Sequence, residues 1–468
     1  MTSDESDLPG RDDEKGPKPP VIRRTSEGVG VRAMLAWLAI GLCVLFIAVT
    51  GEQAAETREA EAAGVTLRSA GRYAVGVHSI IEKFGPGIPV QNLTDTLVTQ
   101  LDQSATTPVD RLYVIPVIAE IQGANSALDR LDKMRFGPKE TALRQDAEEI
   151  RTIYESGVTE LSPREATRLV ERMGWLGELA LSWEQPEDAP IRRAAIEPAM
   201  RTAIGALVVV PLTMLAGAIG LALLIGAAAR YRSGKLRMAG AESLAHRSRS
   251  NLMVESFAFY LIIFVLMQAF SRLFPAGRLS LVSIALYALA PFACLWPLTQ
   301  GMPFSELRSR LGWHTGRGFF KEIGCGIAGY VAGLPVMGAG VLITVLLSRL
   351  VKTQPSHPIS EWIAWDFWRI VGLLALASVF APLAEETMFR GAFYSGVRGR
   401  LSAAASAVIV AFVFAAIHPQ GWTAIPVLMS IAIVLALLRE WRGSLIASMT
   451  AHALNNAVVV VVFALVAG

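Results

Sequence analysis

Long apolar runs separated by charged turns set the pattern of this chain. Runs of about 18 or more apolar residues read as membrane spans. Nine such segments are predicted, at roughly 33–50, 202–229, 253–271, 279–299, 322–348, 362–384, 402–418, 423–439 and 444–466. Between the first and the second lies a polar insert, residues 51–201. Its patterns are helical: Glu56 to Leu67, Leu97 to Leu101, Ala127 to Met134 and Lys139 to Ser156. Ser162-Pro163-Arg164-Glu165 reads as a helix start, with Ser162 as cap, Pro163 at the first position and Glu165 at the third. Strand alternation is scarce. The expected fold class is all-α: a polytopic membrane protein with about nine transmembrane helices and an α-helical extracytoplasmic insert. The expected organisation is a disordered cytoplasmic tail at 1–30, one transmembrane helix at 31–50, the insert at 51–201 and a polytopic membrane domain at 202–468.

Composition agrees. The chain has 468 residues, of which 53% are hydrophobic, more than a soluble protein of this length carries. The tail holds Pro17, Pro19 and Pro20 among mixed charges, a composition that does not pack. The first span lies behind this tail, so it is not read as a secretory signal. The net charge of +3 says little; its distribution says more. Arg230, Arg232, Lys235, Arg237, Arg247 and Arg249 crowd one turn. Arg308, Arg310, Arg317 and Lys321 crowd another, and Arg398, Arg400, Arg439 and Arg442 fall in later turns. With nine spans these turns share a side with Arg23, Arg24 and Arg32. The positive-inside rule makes that side the cytoplasm and puts the insert outside it. Topology thus accounts for the arginines, and the expected partner is the lipid bilayer, not nucleic acid. Cys43, Cys294 and Cys325 each fall inside a predicted span and form no paired motif, so they are read as small core residues.

Three polar insertions interrupt successive apolar segments near the C-terminus: Glu385-Glu386 with Arg390, then His418, then His452 with Asn455 and Asn456. Ionisable groups inside membrane segments cost several kcal/mol and mark function when they recur. Glu386 and Arg390 are i and i+4, the acid-first order of a helical ion pair. Glu385 points about 100° away from Glu386. It is the acid less neutralised by Arg390 and the candidate general base. Helix counting from the turn near Gly399 to Ser402 puts Glu385 and His418 at one level, with Phe414 one turn before His418 on its face. His452 and Asn456, again i and i+4, share a face that suits a polarised carbonyl oxygen. Two histidines and a carboxylate also make a zinc set with an open position for water, so Glu385, His418 and His452 are the candidate metal ligands. These residues leave open whether the reactive water is bound to such a divalent metal or activated by Glu385 without any cofactor. The HExxH signature, a di-iron Glu-x-x-His repeat, a GxSxG elbow and a Walker loop are all absent from the sequence.

Glu-Glu-x-x-x-Arg, Phe-x-x-x-His and His-x-x-x-Asn, in this order on three apolar segments, resemble the CAAX prenyl protease type II family, the CPBP or Abi group of intramembrane proteases. Arg442-Gly443-Ser444-Leu445 resembles that family's lead-in to the third motif. The likeness covers about residues 365–466. It implies hydrolysis of peptide bonds in a membrane protein or lipidated peptide. Glu385 and His418 would activate water, His452 and Asn456 would bind the oxyanion, and Glu386, Arg390 and Phe414 would support them. Two other readings remain. One is a non-catalytic immunity or scaffold protein that binds through residues 51–201. The other is a transporter that relays protons through Glu385 and His418, which the lack of an obvious inverted repeat disfavours.

Overall fold

The computed structural model describes residues 30–85, 91–244, 249–271, 289–351, 353 and 367–467. All regular structure in these residues is helical. The tail at 1–29 and the first half of the expected span at 279–299 lie outside them.

Among the described residues seven helices are long and apolar enough to cross a membrane, and the protein is a multi-pass membrane protein. The segment 402–418 departs from expectation. Its helix, Ala403–Ala416, has 14 residues, about 21 Å at 1.5 Å per residue, against a hydrocarbon core of about 30 Å. Pro419 follows His418 and cannot continue the helix.

Helix α1, Val31–Phe84, runs 54 residues without a break. Its first part is the first span, and its second part enters the insert. No proline interrupts it. The insert continues with α2 (Gln91–Ser104), α3 (Pro108–Gln122), α4 (Ala124–Lys133), α5 (Thr141–Ser156), α6 (Pro163–Met173) and α7 (Trp175–Leu181). Helix α6 starts as its sequence predicts: Ser162 accepts from Glu165 N, and Glu165 accepts from Ser162 N. The same reciprocal cap at Thr107 and Asp110 opens α3, a helix that the apolar pattern did not single out. Helix α8, Pro190–Arg232, then returns across the membrane region. At Gly76 it comes so close to α1 that an added Cβ would lie 2.0 Å from the Ala199 carbonyl oxygen. The insert has its own apolar core, built from side chains between Leu67 and Ala199.

The remaining helices are α9 (Ala239–Leu244), α10 (Ser250–Ser271), α11 (Trp296–Thr299), α12 (Phe304–Leu311), α13 (Phe319–Val351), α14 (residues 367–398), α15 (Ala403–Ala416), α16 (Ile425–Arg442) and α17 (Ile446–Ala467). A second core joins α1, α10, α14, α15 and α16. At its edge Arg32 donates to Glu255 at 2.8 Å, and Trp296 donates to the same oxygen at 3.0 Å, pinning the start of α1 to α10. Gly329 and Gly333 let α16 approach closely: Leu438 and Val434 press against them.

Two of the arginines read as turn charges are not solvated. Arg439 is fully buried, and Arg442 is nearly so and forms a bidentate pair with buried Glu322, at 2.8 and 2.6 Å. Residues 304–318 fold back over the end of α16 and cover Arg439, whose guanidinium meets Gly312 and the Arg310 carbonyl. Nothing in the local sequence announces that cover, because it comes from more than 120 residues earlier.

Candidate active site

Helix α14 carries the two adjacent acids, and it is not a plain α-helix. It widens to a π-helix at Leu376–Phe380, returns to α at Ala381–Glu386, and widens again at Thr387–Phe393. Pro382 explains the first widening: it lacks an N–H, and its ring crowds the carbonyl four residues back. Such π turns are rare and recur at functional sites. Here they bracket Glu385 and Glu386.

The two acids are treated differently. Glu386 is fully buried. Its Oε1 accepts from Arg390 Nη1 at 2.9 Å and lies 3.0 Å from His452 Nδ1 on α17. Arg390, also fully buried, donates through Nη2 to the Ala432 carbonyl of α16 at 3.2 Å. Its guanidinium stands 4.7 Å from the Phe414 ring centroid. Glu385 keeps 13% of its side chain exposed, and its Oε2 lies 3.8 Å from His452 Nε2. One imidazole therefore bridges both carboxylates. Nδ1 faces the neutralised acid, and Nε2 faces the open one.

His418 follows α15. Its Nδ1 donates to the Phe414 carbonyl at 2.5 Å. That bond sets the tautomer and leaves Nε2 as the acceptor of a neutral ring. Phe414 is the common wall: its ring lies 4.2 Å from His418, 6.1 Å from His452 and 5.1 Å from Phe389. The structure thus brings Glu385, Glu386, Arg390, Phe414, His418 and His452 together. Asn456 is held elsewhere: its Nδ2 donates to the Ala377 carbonyl in the first π turn at 2.8 Å, and Asn455 donates to its Oδ1 at 3.3 Å. An amide carries two N–H donors, so one bond to α14 does not exhaust it.

A groove of about 490 Å³ opens beside His418, with Trp37, Gly41, Ala48 and Gly51 of α1 on one side and Trp422 on the other. Its walls are almost wholly apolar, which suits a ligand arriving from hydrocarbon.

Residues 367–458 match the family model for type II CAAX prenyl endopeptidases, Rce1-like. Through this segment the chain is similar to the Rce1-like family. That is a protease family of the CPBP/Abi group, and the resemblance seen in the three motifs is of the same kind. No curated protein and no solved structure matches the chain. The Rce1-like segment contains α14, α15, α16 and the part of α17 that holds His452 and Asn456. Helix α1, the insert and residues 304–318 lie outside it.

Zinc requires three protein ligands converging on one point. Among the described residues no group of three His, Cys, Asp or Glu side chains has that arrangement. Nδ1 of each imidazole is engaged, in His452 by Glu386 and in His418 by a backbone carbonyl, which leaves the two Nε2 atoms toward the site. Among the described residues, Glu385, His418 and His452 are not gathered as one set of metal ligands.

Sequence reasoning missed the partner of His452, the π turns and a set of residues behind the site. Trp313 donates to Thr387 at 3.3 Å, and Arg439 donates to the carbonyls of Arg310 and Arg390 at 2.8 and 3.4 Å. Gly312 before Trp313 was the available signal, since an isolated glycine after a helical run marks a stop.

Proposed function

We propose that this protein is an intramembrane endopeptidase in which Glu385 is the general base. One observation carries the reading. Of two adjacent acids, one is fully buried and tied to an arginine, while the other is partly exposed and lies 3.8 Å from the His452 ring. Water held between Glu385 and His418 Nε2 attacks the scissile carbonyl carbon, and Glu385 takes its proton. The carbonyl oxygen becomes an oxyanion near His452 Nε2 and the carboxamide of Asn456. Collapse breaks the C–N bond, and the leaving amine receives the proton held by Glu385. Glu386 acts through His452 by fixing its ring. A positioned base contributes about 10²- to 10⁴-fold, and an oxyanion donor about 10²- to 10³-fold.

The substrate is a membrane protein or lipidated peptide presented from the bilayer, which the apolar groove at His418 supports. The Arg-rich turns support a cytoplasmic N-terminus, with residues 51–201 on the opposite side.

The test compares membrane proteomes of cells bearing wild type and Glu385→Gln. Cleaved fragments should appear with wild type and vanish with the variant, at equal protein level. Identical fragment patterns in the two would end the proteolytic reading. A phenotype that survives Glu385→Gln and is lost on substituting exposed side chains of the insert, with α1 and α8 left intact, would favour a binding role for residues 51–201.

A further inference from the structure

Residues 310–314 lie outside the Rce1-like segment, yet they touch both helices that build the site. Trp313 Nε1 donates to the Thr387 hydroxyl at 3.3 Å, one residue after Glu386. The Gly312 carbonyl accepts from Leu445 N at 3.0 Å, and the His314 carbonyl accepts from Ser444 Oγ at 2.6 Å. Those two partners stand at the start of α17, two turns before His452. Arg439 closes the set from α16. Its Nη2 donates to the Arg310 carbonyl at 2.8 Å, and its Nε reaches the Arg390 carbonyl at 3.4 Å.

The Arg390 carbonyl sits within the second π turn. A π turn shifts the backbone ladder by one residue, and here an outside donor meets it. The same residue's side chain holds Glu386, and Glu386 holds His452. A fully buried guanidinium costs several kcal/mol in desolvation. Here two of its three nitrogens, Nε and Nη2, donate to backbone carbonyls, one in the acid-bearing helix and one in the strap. Gly312 permits the contact. It has φ +81°, and a Cβ there would lie 2.7 to 2.8 Å from the Arg439 guanidinium atoms.

We propose that Arg310–His314 is a positioning strap, with Trp313 and Arg439 as its positioning residues. It fixes the separation of α14 from α17 and so keeps His452 Nδ1 on Glu386 and Nε2 toward Glu385. Its catalytic consequence rests on the peptidase reading above; its geometric consequence does not.

The geometric test uses the full-length protein in lipid nanodiscs and diethylpyrocarbonate as the probe of imidazole reactivity. Carbethoxylation of His452 and His418 is followed by peptide mass spectrometry. Trp313→Phe and Thr387→Val each raise the His452 rate by about 2- to 10-fold, the equivalent of one neutral hydrogen bond. His418, anchored by its own bond to Phe414, serves as the internal control and keeps its rate. Thr387→Ser retains the hydroxyl and restores the wild-type rate. The double variant is no faster than the faster single variant, since both remove one bond. Arg439→Met gives a larger rise if it folds, and the two milder variants decide the matter if it does not. Unchanged His452 reactivity in Trp313→Phe and Thr387→Val overturns the proposal, as does an equal rise at His418 or no restoration by Thr387→Ser. Because this readout is independent of cleavage, an inactive wild type would sink the peptidase reading and leave the strap to be judged separately.

Discussion

Glu386→Gln deletes one charge of a fully buried ion pair while keeping the side chain's shape. In the native protein Glu386 meets Arg390 at 2.9 Å and His452 at 3.0 Å, with Glu386 and Arg390 wholly inaccessible. Removing one partner of such a pair costs about 3–5 kcal/mol, because the other charge stays behind without compensation. Arg390 would retain the Ala432 carbonyl and the face of Phe414, and glutamine still accepts hydrogen bonds. These place the cost near the lower end, about 3 kcal/mol. At about 2–4 °C per kcal/mol for a unit of 150–250 residues, the unfolding midpoint falls by about 6–12 °C. Glu386→Gln/Arg390→Met removes both charges, so it unfolds at a higher temperature than either single variant. The coupling across the cycle should exceed about 2 kcal/mol. Cleavage stays lost in all three variants, since His452 has lost its anionic anchor or that anchor has lost its own support. The assay is thermal unfolding of the four proteins in one detergent. Additive losses, with the double variant the least stable, would refute the argument that the pair is desolvated and mutually dependent.

Gly326→Ala should destabilise by about 1–3 kcal/mol, because a Cβ there would lie 2.6 Å from the Ala447 carbonyl oxygen on α17; thermal unfolding measures it. Burial, aided by the positive charge of Arg439, holds the His314 imidazole below the usual histidine range. Its folded value therefore lies under its unfolded value of about 6.5. The neutral ring contributes stability that is complete above that value and is lost as pH falls through the folded one. Unfolding midpoints should drop between about pH 7 and pH 5, less steeply in His314→Asn, and parallel slopes in the two proteins would contradict this.

Local spacing made the Glu386–Arg390 pair legible, because i and i+4 share a helix face whatever surrounds it. Equal distance from a turn predicted Glu385 and His418 at one depth; Glu385 lies 3.8 Å from His452, and the His418 and His452 rings both stand near Phe414. The assignment of Glu386 to His452 was not legible. It depends on how α14 is rotated toward α17, and each π turn resets that rotation. Asn456 shares a face with His452 as expected, but the first π turn presents the Ala377 carbonyl to its amide. Arg439 misled for a different reason. An arginine at the end of an apolar run reads as a turn charge, and only the fold reveals that residues 304–318 cover it.

The unbroken course of α1 bears on any attempt to separate the two halves of this protein. At about 1.5 Å per residue, its 54 residues make a rod of about 80 Å that begins beside Glu255 and ends in the insert's core. It passes Pro419, next to His418, at Gly51. Helix α8 makes the return journey just as continuously. Excising residues 51–201 would therefore saw through two beams in mid-length and leave loose ends beside the groove. The insert is not a bead on a string, and a truncated protein that loses activity would say nothing about what the insert binds.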